Sequence, residues 1–327
     1  MNFHRSLKQV CVVVALLAIA PNGAVAQADK YPDKPIRIIV PYPPGGSGDV
    51  VARAVGQKLL DSWGQQVVVD NRPGASGMIG TEHVARSAPD GYTLLLGTDI
   101  QFAINPVLYS KVSYDPDKDF EPLALGAVIN FVVAVPGSLQ VNSLNELVAL
   151  AKSRPGQLSY GSAGSGSTHH LAMELIKLLA GISVTHIPYK GGAQGLVDLL
   201  SGRVQMMYIG FSQVQPHIKS GKLKVLAVGS AKRLRSAPEI PMVAETFPGF
   251  ETDARWDFYA PAGTPGEIVR KLSTEIIKIL NTREVVEQLS SRGLDVLGGN
   301  AAQLTARNHA DAIKWRRVTK EAGIKVE

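Results

Sequence analysis

The chain has 327 residues, 45% of them apolar, 19% charged and 6% aromatic, with a formal charge of +6. This is ordinary globular composition, which excludes a disordered, collagenous or disulfide-framed protein. The basic surplus is thinly spread: Lys222, Lys224, Lys232, Arg233 and Arg235 come closest to a run, lack base-reading groups and read as a solvated face, so no nucleic-acid partner is expected.

Residues 1–26 carry the pattern of a cleaved secretory signal. Arg5 and Lys8 give a basic start, Val10 to Ala20 is an apolar core too short to span a bilayer, and Ala24-Val25-Ala26 is a small-residue cleavage pattern. The lone cysteine, Cys11, lies inside this segment, so a mature chain from Gln27 has no disulfide, thiol nucleophile or cysteine-ligated metal, and no lipid anchor. Losing Arg5 and Lys8 from a segment without Asp or Glu takes the charge from +6 to +4, a mild balance that suits small anions.

Strand and helix signals then alternate. Ile36 to Val40 reads as a buried strand, Pro41 to Asp49 as a glycine-rich turn, and Val50 to Leu60 as an amphipathic helix. Gln66 to Asp70 is a short strand, Asn71 to Gly77 a turn, Met78 to Ala88 a helix and Thr93 to Gly97 a strand. Thr98 to Pro106 is a loop leading into a short helix. This alternation predicts a parallel sheet with helices on both faces, with the three turns sharing the edge where such sheets bind ligands. The apolar run Leu123 to Val135, broken at Gly126 and Asn130, carries the chain into a second unit.

That unit reads as helix Leu144 to Ser153, strand Leu158 to Tyr160, a second glycine-serine turn, helix His169 to Ala180 and strand Val184 to Pro188. A third turn, Tyr189 to Gln194, leads into helix Gly195 to Leu200, and Val204 to Ile209 and Leu223 to Gly229 are further strands. The Pro- and Gly-rich stretch Ser236 to Glu251 is a return crossing. Trp256 to Ala260, a helix from Pro265 to Leu280, a short helix Val285 to Ser290 and a long one from Ala301 to Ala322 close the chain. The fold class is therefore α/β with two lobes: 27–125 with 251–327, and 126–250.

Three chemistries compete for the glycine-rich turns. A phosphate loop needs Lys then Ser or Thr at the helix start, where this chain has Asp49-Val50, and a dinucleotide fingerprint fails at Val51, so no nucleotide cofactor is expected. No serine has Gly at both −2 and +2, so the nucleophile elbow is absent. His169 and His170 are adjacent and diverge on a helix, and His170 with Glu174 is too few ligands for a metal. One such turn alone reads as plain backbone geometry. The recurrence of three, at Gly45 to Asp49, Gly161 to Thr168 and Lys190 to Gln194, is what points to a clamp of backbone amides and hydroxyls at helix starts, able to hold a carboxylate.

At these residues the sequence resembles the tripartite tricarboxylate transporter substrate-binding proteins, also called Bug receptors. The segments that carry the resemblance include Tyr31-Pro-Asp-Lys-Pro-Ile-Arg37, Val40-Pro-Tyr-Pro-Pro-Gly-Gly-Ser-Gly-Asp49, Val69-Asp-Asn-Arg-Pro-Gly-Ala-Ser-Gly77 and Ala88-Pro-Asp-Gly-Tyr-Thr-Leu94. Tyr160-Gly-Ser-Ala-Gly-Ser-Gly-Ser167, Pro188-Tyr-Lys-Gly-Gly192, Pro216-His-Ile-Lys-Ser-Gly-Lys-Leu223 and Ala260-Pro-Ala-Gly-Thr-Pro265 continue it, in order, over nearly the whole mature chain.

The resemblance implies a periplasmic, type II binding-protein fold, with two lobes closing over a small organic carboxylate for the permease subunits of a membrane transporter. It implies a monomer without cofactor or enzymatic activity. Its binding loops map onto Tyr42, Pro44, Gly45, Gly46, Ser47, Gly48 and Asp49, then Ser162, Ser165, Gly166, Ser167 and Thr168, and then Gly191, Gly192 and Ala193. Asp49 either faces the cleft, the reading preferred here, or caps its helix. Thr98, Asp99 and Phe102 occupy a wall where relatives carry small or polar residues, and Ile209-Gly-Phe211 replaces an Asp-Asn or Gly-Thr type sequence. Phe102 and Phe211 then flank a flat or apolar ligand body, so a di- or aromatic carboxylate is expected. A receptor that signals to a membrane kinase, or a secreted carboxylate-acting hydrolase, are the alternatives.

Overall fold

The structure, a computed structural model, describes residues 31–324; the signal-like segment and its cleavage pattern lie outside the described residues. Eleven strands form two sheets. The first takes β1 (Ile36–Val40), β2 (Val67–Asn71), β3 (Thr93–Gly97), β4 (Phe120–Ile129), β10 (Ala254–Pro261) and β11 (Leu294–Asn300), in the order β11-β4-β10-β3-β1-β2. The second takes β5 (Phe131–Pro136), β6 (Ser159–Ser162), β7 (Thr185–Pro188), β8 (Met206–Gly210) and β9 (Leu223–Val228), in the order β7-β6-β8-β5-β9.

The sheets are mixed rather than parallel. β1 pairs parallel with β2 and β3, and β6 with β7 and β8, as the alternation predicts. The returning strand β10 inserts antiparallel between β3 and β4, β11 runs antiparallel to β4, and β5 runs antiparallel to both β8 and β9. The cause is the crossing: a chain that leaves one sheet and returns late reaches its slot from the opposite end.

Alternation along each strand feeds two core layers per sheet. Ile36, Ile38 and Val40 face one apolar cluster, with Val51, Val55 and Leu59 of α1 (Ser47–Trp63), while Ile39 faces another. In the second sheet Phe131, Val133 and Val135 face Tyr160, Leu171 and Tyr208, and Val132 and Ala134 face Leu199 and Met207. Both faces of each sheet are therefore buried, which requires helices on both sides.

Ten further helices complete the described chain: α2 (Met78–Ala85), α3 (Asn105–Leu108), α4 (Leu144–Ser153), α5 (Thr168–Ala180), α6 (Gly192–Leu200), α7 (Phe211–Lys219), α8 (Val243–Thr246), α9 (Gly266–Leu280), α10 (Arg283–Ser290) and α11 (Ala301–Glu321). Three elements are additions to the sequence reading: α7, β11 and the short α8, which lies inside the Ser236 to Glu251 crossing. α7 carries Pro216 inside it, a residue that argues against a helix until its neighbours are seen. β11 contains Gly298-Gly299 with a register shift after Val296, so its period-2 signal is broken.

The run Leu123 to Val135 divides at Asn130. Its carbonyl accepts from Phe211 N at 2.7 Å, and its amide donates to Asp295 at 2.8 Å, so the crossing is fastened to both sheets. The return crossing is fastened by charge. Arg307 pairs with Glu251 and Asp253, Lys314 donates to the Glu251 carbonyl, and buried Arg255 pairs with Asp257 and Asp311. α11 also sends Trp315 and Val318 into the core with Leu171 and Ala172 of α5, so its second half packs against the second sheet's helix.

Candidate ligand-binding site

Because β1, β2 and β3 run parallel, the loops after them emerge on one edge, and the loop after β6 meets them across a cavity of 170 Å³. One wall is Tyr42 after β1, Ser76 after β2, and Ile100, Asn105 and Tyr109 after β3. The other is Ala163, Ser165, Gly166 and Ser167 after β6.

On the first wall Tyr42 is fixed by its neighbours. Its ring meets Trp256 edge-on at 5.3 Å, and its hydroxyl accepts from Gln101 Nε2 at 2.9 Å. Burial pushes its phenol up to about 12, opposed by bonds to Thr98 and Gln101, so it stays neutral and keeps a proton to donate. Thr98 is buried, and its amide and hydroxyl both donate to Gln101 Oε1, at 2.8 and 3.0 Å. Gln101 also donates to the Ser76 carbonyl at 2.9 Å, and Asn105 does so at 3.2 Å. That carbonyl belongs to a loop held at positive φ through Gly74, Ala75, Ser76 and Gly77; the non-glycine values, 47° at Ala75 and 52° at Ser76, mark stored backbone strain at the cavity rim.

The β1 loop itself stands at the mouth. Pro44, Gly45 and Gly46 are exposed, Gly45 has φ +81°, and Gly46 caps α1 without a side-chain bond. Gly48 is buried under Trp256: a Cβ there would lie 2.5 Å from the indole, so only glycine fits. The Ser47 hydroxyl accepts from Trp256 Nε1 at 3.0 Å.

Three expectations on this side are corrected. Asp49 does not offer a free carboxylate: Oδ2 takes Arg53 Nε at 2.9 Å and Gly45 N at 3.2 Å, and Oδ1 takes Arg53 Nη2 at 3.0 Å. The Arg53 hydrogen bonds hold it below the usual carboxylate range, and it balances the first turn of its own helix. Asp99 is buried beneath the wall, where Oδ1 accepts from Arg255 N at 3.3 Å and Oδ2 has no partner; burial pushes its carboxyl up to about 7 against the pull of Arg255. Phe102 stacks on Tyr259 at 3.8 Å inside the core.

On the second wall the loop is tied internally. Ser162 is wholly buried and meets His186 Nε2 at 2.6 Å while accepting from Gly164 N at 3.1 Å. Ser167 donates to the Gly164 carbonyl at 2.6 Å and caps α5 by accepting from His170 N. His170 Nδ1 accepts from Gly166 N at 3.0 Å, and its ring stacks on His186 at 3.9 Å. Burial, helped by His186, pushes the His170 imidazole down to about 4. Thr168 is buried, whereas Ser165 is exposed and its hydroxyl makes no bond among the described residues. The serine–histidine pair is no hydrolytic dyad: the hydroxyl is sealed, and Glu174, the nearby carboxylate, is engaged by Tyr160 and Lys177.

The third turn places Gly191, at φ +145°, and Gly192 at the start of α6, with Ala193 exposed beside them. Phe211 is a fourth correction: it is buried among Val132, Leu199 and Met207. Asn105, Ser76 and Tyr109 are wall residues that sequence reasoning missed, and Gln101 is buried behind them, where it ties Tyr42 to the Ser76 carbonyl. A five-residue π-turn at Ile100–Ile104 rotates Gln101 inward, away from the phase of an ordinary helix, and no periodicity reports that.

Two sheets with strand-end loops facing each other across a cavity are an architecture suited to holding a small solute. The family model described as the tripartite tricarboxylate transporter family receptor, TctC, matches residues 51–324, and the chain belongs to that family. Protein BugT of Bordetella pertussis is 36% identical over 329 residues, covering 100% of both chains. The solved structure of R. palustris Rpa4515 with adipate is 36% identical with a TM-score of 0.78, over 90% of this chain and 99% of that one. The periplasmic binding protein BugD is 33% identical with a TM-score of 0.74, over 91% and 100%. The chain is thus a receptor and not an enzyme. No helix among the described residues is long and apolar enough to cross a membrane.

Proposed function

We propose that this receptor captures a small organic carboxylate in the periplasm, a dicarboxylate in preference to an aromatic acid, and delivers it as a monomer to the permease subunits of a tripartite tricarboxylate-type transporter. The observation that carries the reading is the cavity where Tyr42 and Ser76 face Ser165 to Ser167. Its walls offer neutral hydroxyls and helix-start amides, donors that suit a carboxylate without a counter-charge. Adipate in a relative 36% identical supports a dicarboxylate. The aromatic option loses its basis, because Phe102 and Phe211 are core residues.

In this reading the two sheets are the cores of two lobes, divided at Asn130 and near Glu251, and closure brings Gly45 to Gly48 over the ligand. Cleavage after Ala26 delivers the chain to the periplasm, and amino-terminal sequencing of the exported protein beginning at Gln27 tests that. Binding is tested by thermal-shift screening against mono-, di- and tricarboxylates and aromatic acids. A ligand at a hundredfold excess over Kd adds about 2.7 kcal/mol of stability. A flat response across all carboxylates overturns the reading.

A further inference from the structure

Behind the first wall of the cavity lies a support centred on Asp99. This residue stands between β3 and the π-turn, next to Ile100 of the wall, and is 1% exposed. Its Oδ1 accepts from the backbone N of Arg255 at 3.3 Å. The next residue along β10 is Trp256, whose ring lies edge-on to Tyr42 at 5.3 Å and whose Nε1 donates to Ser47. One carboxyl group thus ties the β3 turn to the strand that holds Tyr42, the other part of the same wall. Its Oδ2 is buried and has no hydrogen-bond partner.

The charges around it do not balance. Asp253 and Asp257 flank Arg255 on the return crossing and β10, and α11 supplies Asp311, Arg307 and Lys314. With Glu251 on Arg307, three cations meet five carboxylates, Asp99 included. Four of the five are matched. Arg307 takes Glu251 and Asp253, Arg255 and Lys314 take Asp311, and Asp257 accepts from Arg255 Nε at 3.2 Å and Gly126 N at 3.0 Å. Asp99 alone makes no ion pair among the described residues. The other titratable groups that face it, the phenols of Tyr42, Tyr208 and Tyr259, are kept neutral by burial. A buried carboxylate without a partner takes up a proton rather than stay charged, and burial pushes Asp99 up to about 7 against the pull of Arg255. Oδ1 is occupied by the Arg255 amide, so the proton belongs on Oδ2.

Loss of that proton leaves an unpaired charge beside Asp253 and Asp311. Movement of the β3 turn away from Arg255, or entry of water behind it, relieves the charge, and either releases Ile100 and Tyr42 from their positions. We infer that Asp99 is a positioning residue of the ligand cavity: it keeps Ile100 and the Trp256–Tyr42 pair in place while its carboxyl is protonated and loosens them when it ionises, so that capture weakens as the pH rises through neutrality. The inference rests on the carboxylate-receptor reading above and adds a proton-dependent control of affinity to it.

Calorimetry with straight-chain dicarboxylates of four to six carbons, from about pH 6.5 to about pH 8.5, tests this on the full exported chain, because the ligands' own carboxyls titrate below that window. Wild-type affinity is expected to fall about tenfold across it. Asp99→Asn keeps the acceptor for Arg255 N and cannot ionise, so its affinity is expected to stay within about twofold of the wild-type value at the acid end throughout. Asp99→Ala removes the acceptor as well and is expected to bind weakly at every pH, without the slope. Carboxyl-carbon NMR of aspartate-labelled protein is expected to show a resonance that titrates near neutrality and is absent from Asp99→Asn. A flat wild-type profile, or an Asp99→Asn profile that falls in parallel with it, overturns the positioning role and leaves the receptor reading intact. Wild-type protein that binds none of these dicarboxylates at any pH overturns the dicarboxylate-receptor reading, and the role with it.

Discussion

The loops after β1 and after β6 share one sequence grammar, glycine and serine between a buried strand and a helix, yet they are built in opposite ways. The β1 loop is held from outside: Trp256, arriving from the far end of the chain, presses on Gly48 and donates to Ser47. Its helix start is uncapped by any side chain, and Asp49 folds back onto Gly45 and Arg53. The β6 loop is held mainly from within, by Ser162, Ser167 and His170, all within nine residues of one another, with His186 of the neighbouring β7 backing Ser162 and His170. Most of the hydroxyls that looked available for a ligand are therefore spent on loop geometry. Tyr42, Ser165 and the backbone amides are what the two loops offer at the cavity. Similar composition produced a largely self-bonded surface on one side and one dependent on Trp256 from the far end of the chain on the other.

The difference is broken most severely at Gly48. Gly48→Val forces a side chain into the Trp256 ring, which is expected to destabilise the fold by about 3 kcal/mol and to abolish binding; chemical denaturation and calorimetry read both. An unchanged midpoint would mean that Trp256 does not support the β1 loop.

Acid separates the loops next. His170 is neutral in the fold down to about pH 4, whereas its unfolded counterpart protonates near 6.5. Between those values the unfolded chain binds the extra proton, so stability present above about pH 6.5 is lost as the pH falls towards 4. Asp99, raised to about 7, acts in the opposite sense and becomes easier to keep buried as it protonates. His170→Gln removes only the first effect. The variant should therefore lose less stability than wild type between pH 7 and pH 4, by an amount on the order of 1–3 kcal/mol. Parallel curves for the two proteins would show that the imidazole is not held neutral.

Ser165→Ala sharpens the contrast in affinity alone. It should weaken carboxylate binding by about 1 kcal/mol, close to fivefold, with no change in melting temperature, whereas Ser47→Ala should lower both because it strips Trp256 of its acceptor. Equal effects of the two on stability would contradict the contrast. The smallest effect belongs to Gly46→Ala. A Cβ there meets only the Pro43 carbonyl at 3.5 Å, and the expected change in stability is within about 0.5 kcal/mol. A large loss of stability would show that the exposed tip bears more structure than its contacts suggest.

Much of the fold was legible in advance because it is written in local patterns. Ile36 to Val40, Thr93 to Gly97 and Leu144 to Ser153 follow period and capping rules that act within a few residues, and the structure keeps the predicted bounds of all three. The site was legible only as loops. That Tyr42 and Ser165 to Ser167 share a cavity follows from parallel strands ending on one edge, which the strand–helix alternation already implied. Which side chains face that cavity was not legible, and Asp49, Asp99, Phe102 and Phe211 show why. A carboxylate in a glycine loop reads as a ligand group until Arg53 is found one turn away along the helix, and a lone phenylalanine reads as a pocket wall until Tyr259 is found stacked on it.

The sequence by itself determined the strand-loop-helix units, their two groups and the family to which the chain belongs, because propensity, periodicity and motif spacing are properties of neighbouring residues. Tertiary structure decided the antiparallel insertion of β10, the inward turn of Gln101 and the burial of Asp99 beside Arg255. Each of these joins residues from separate elements, and a contact between elements depends on where the whole chain packs rather than on what stands beside each residue in line.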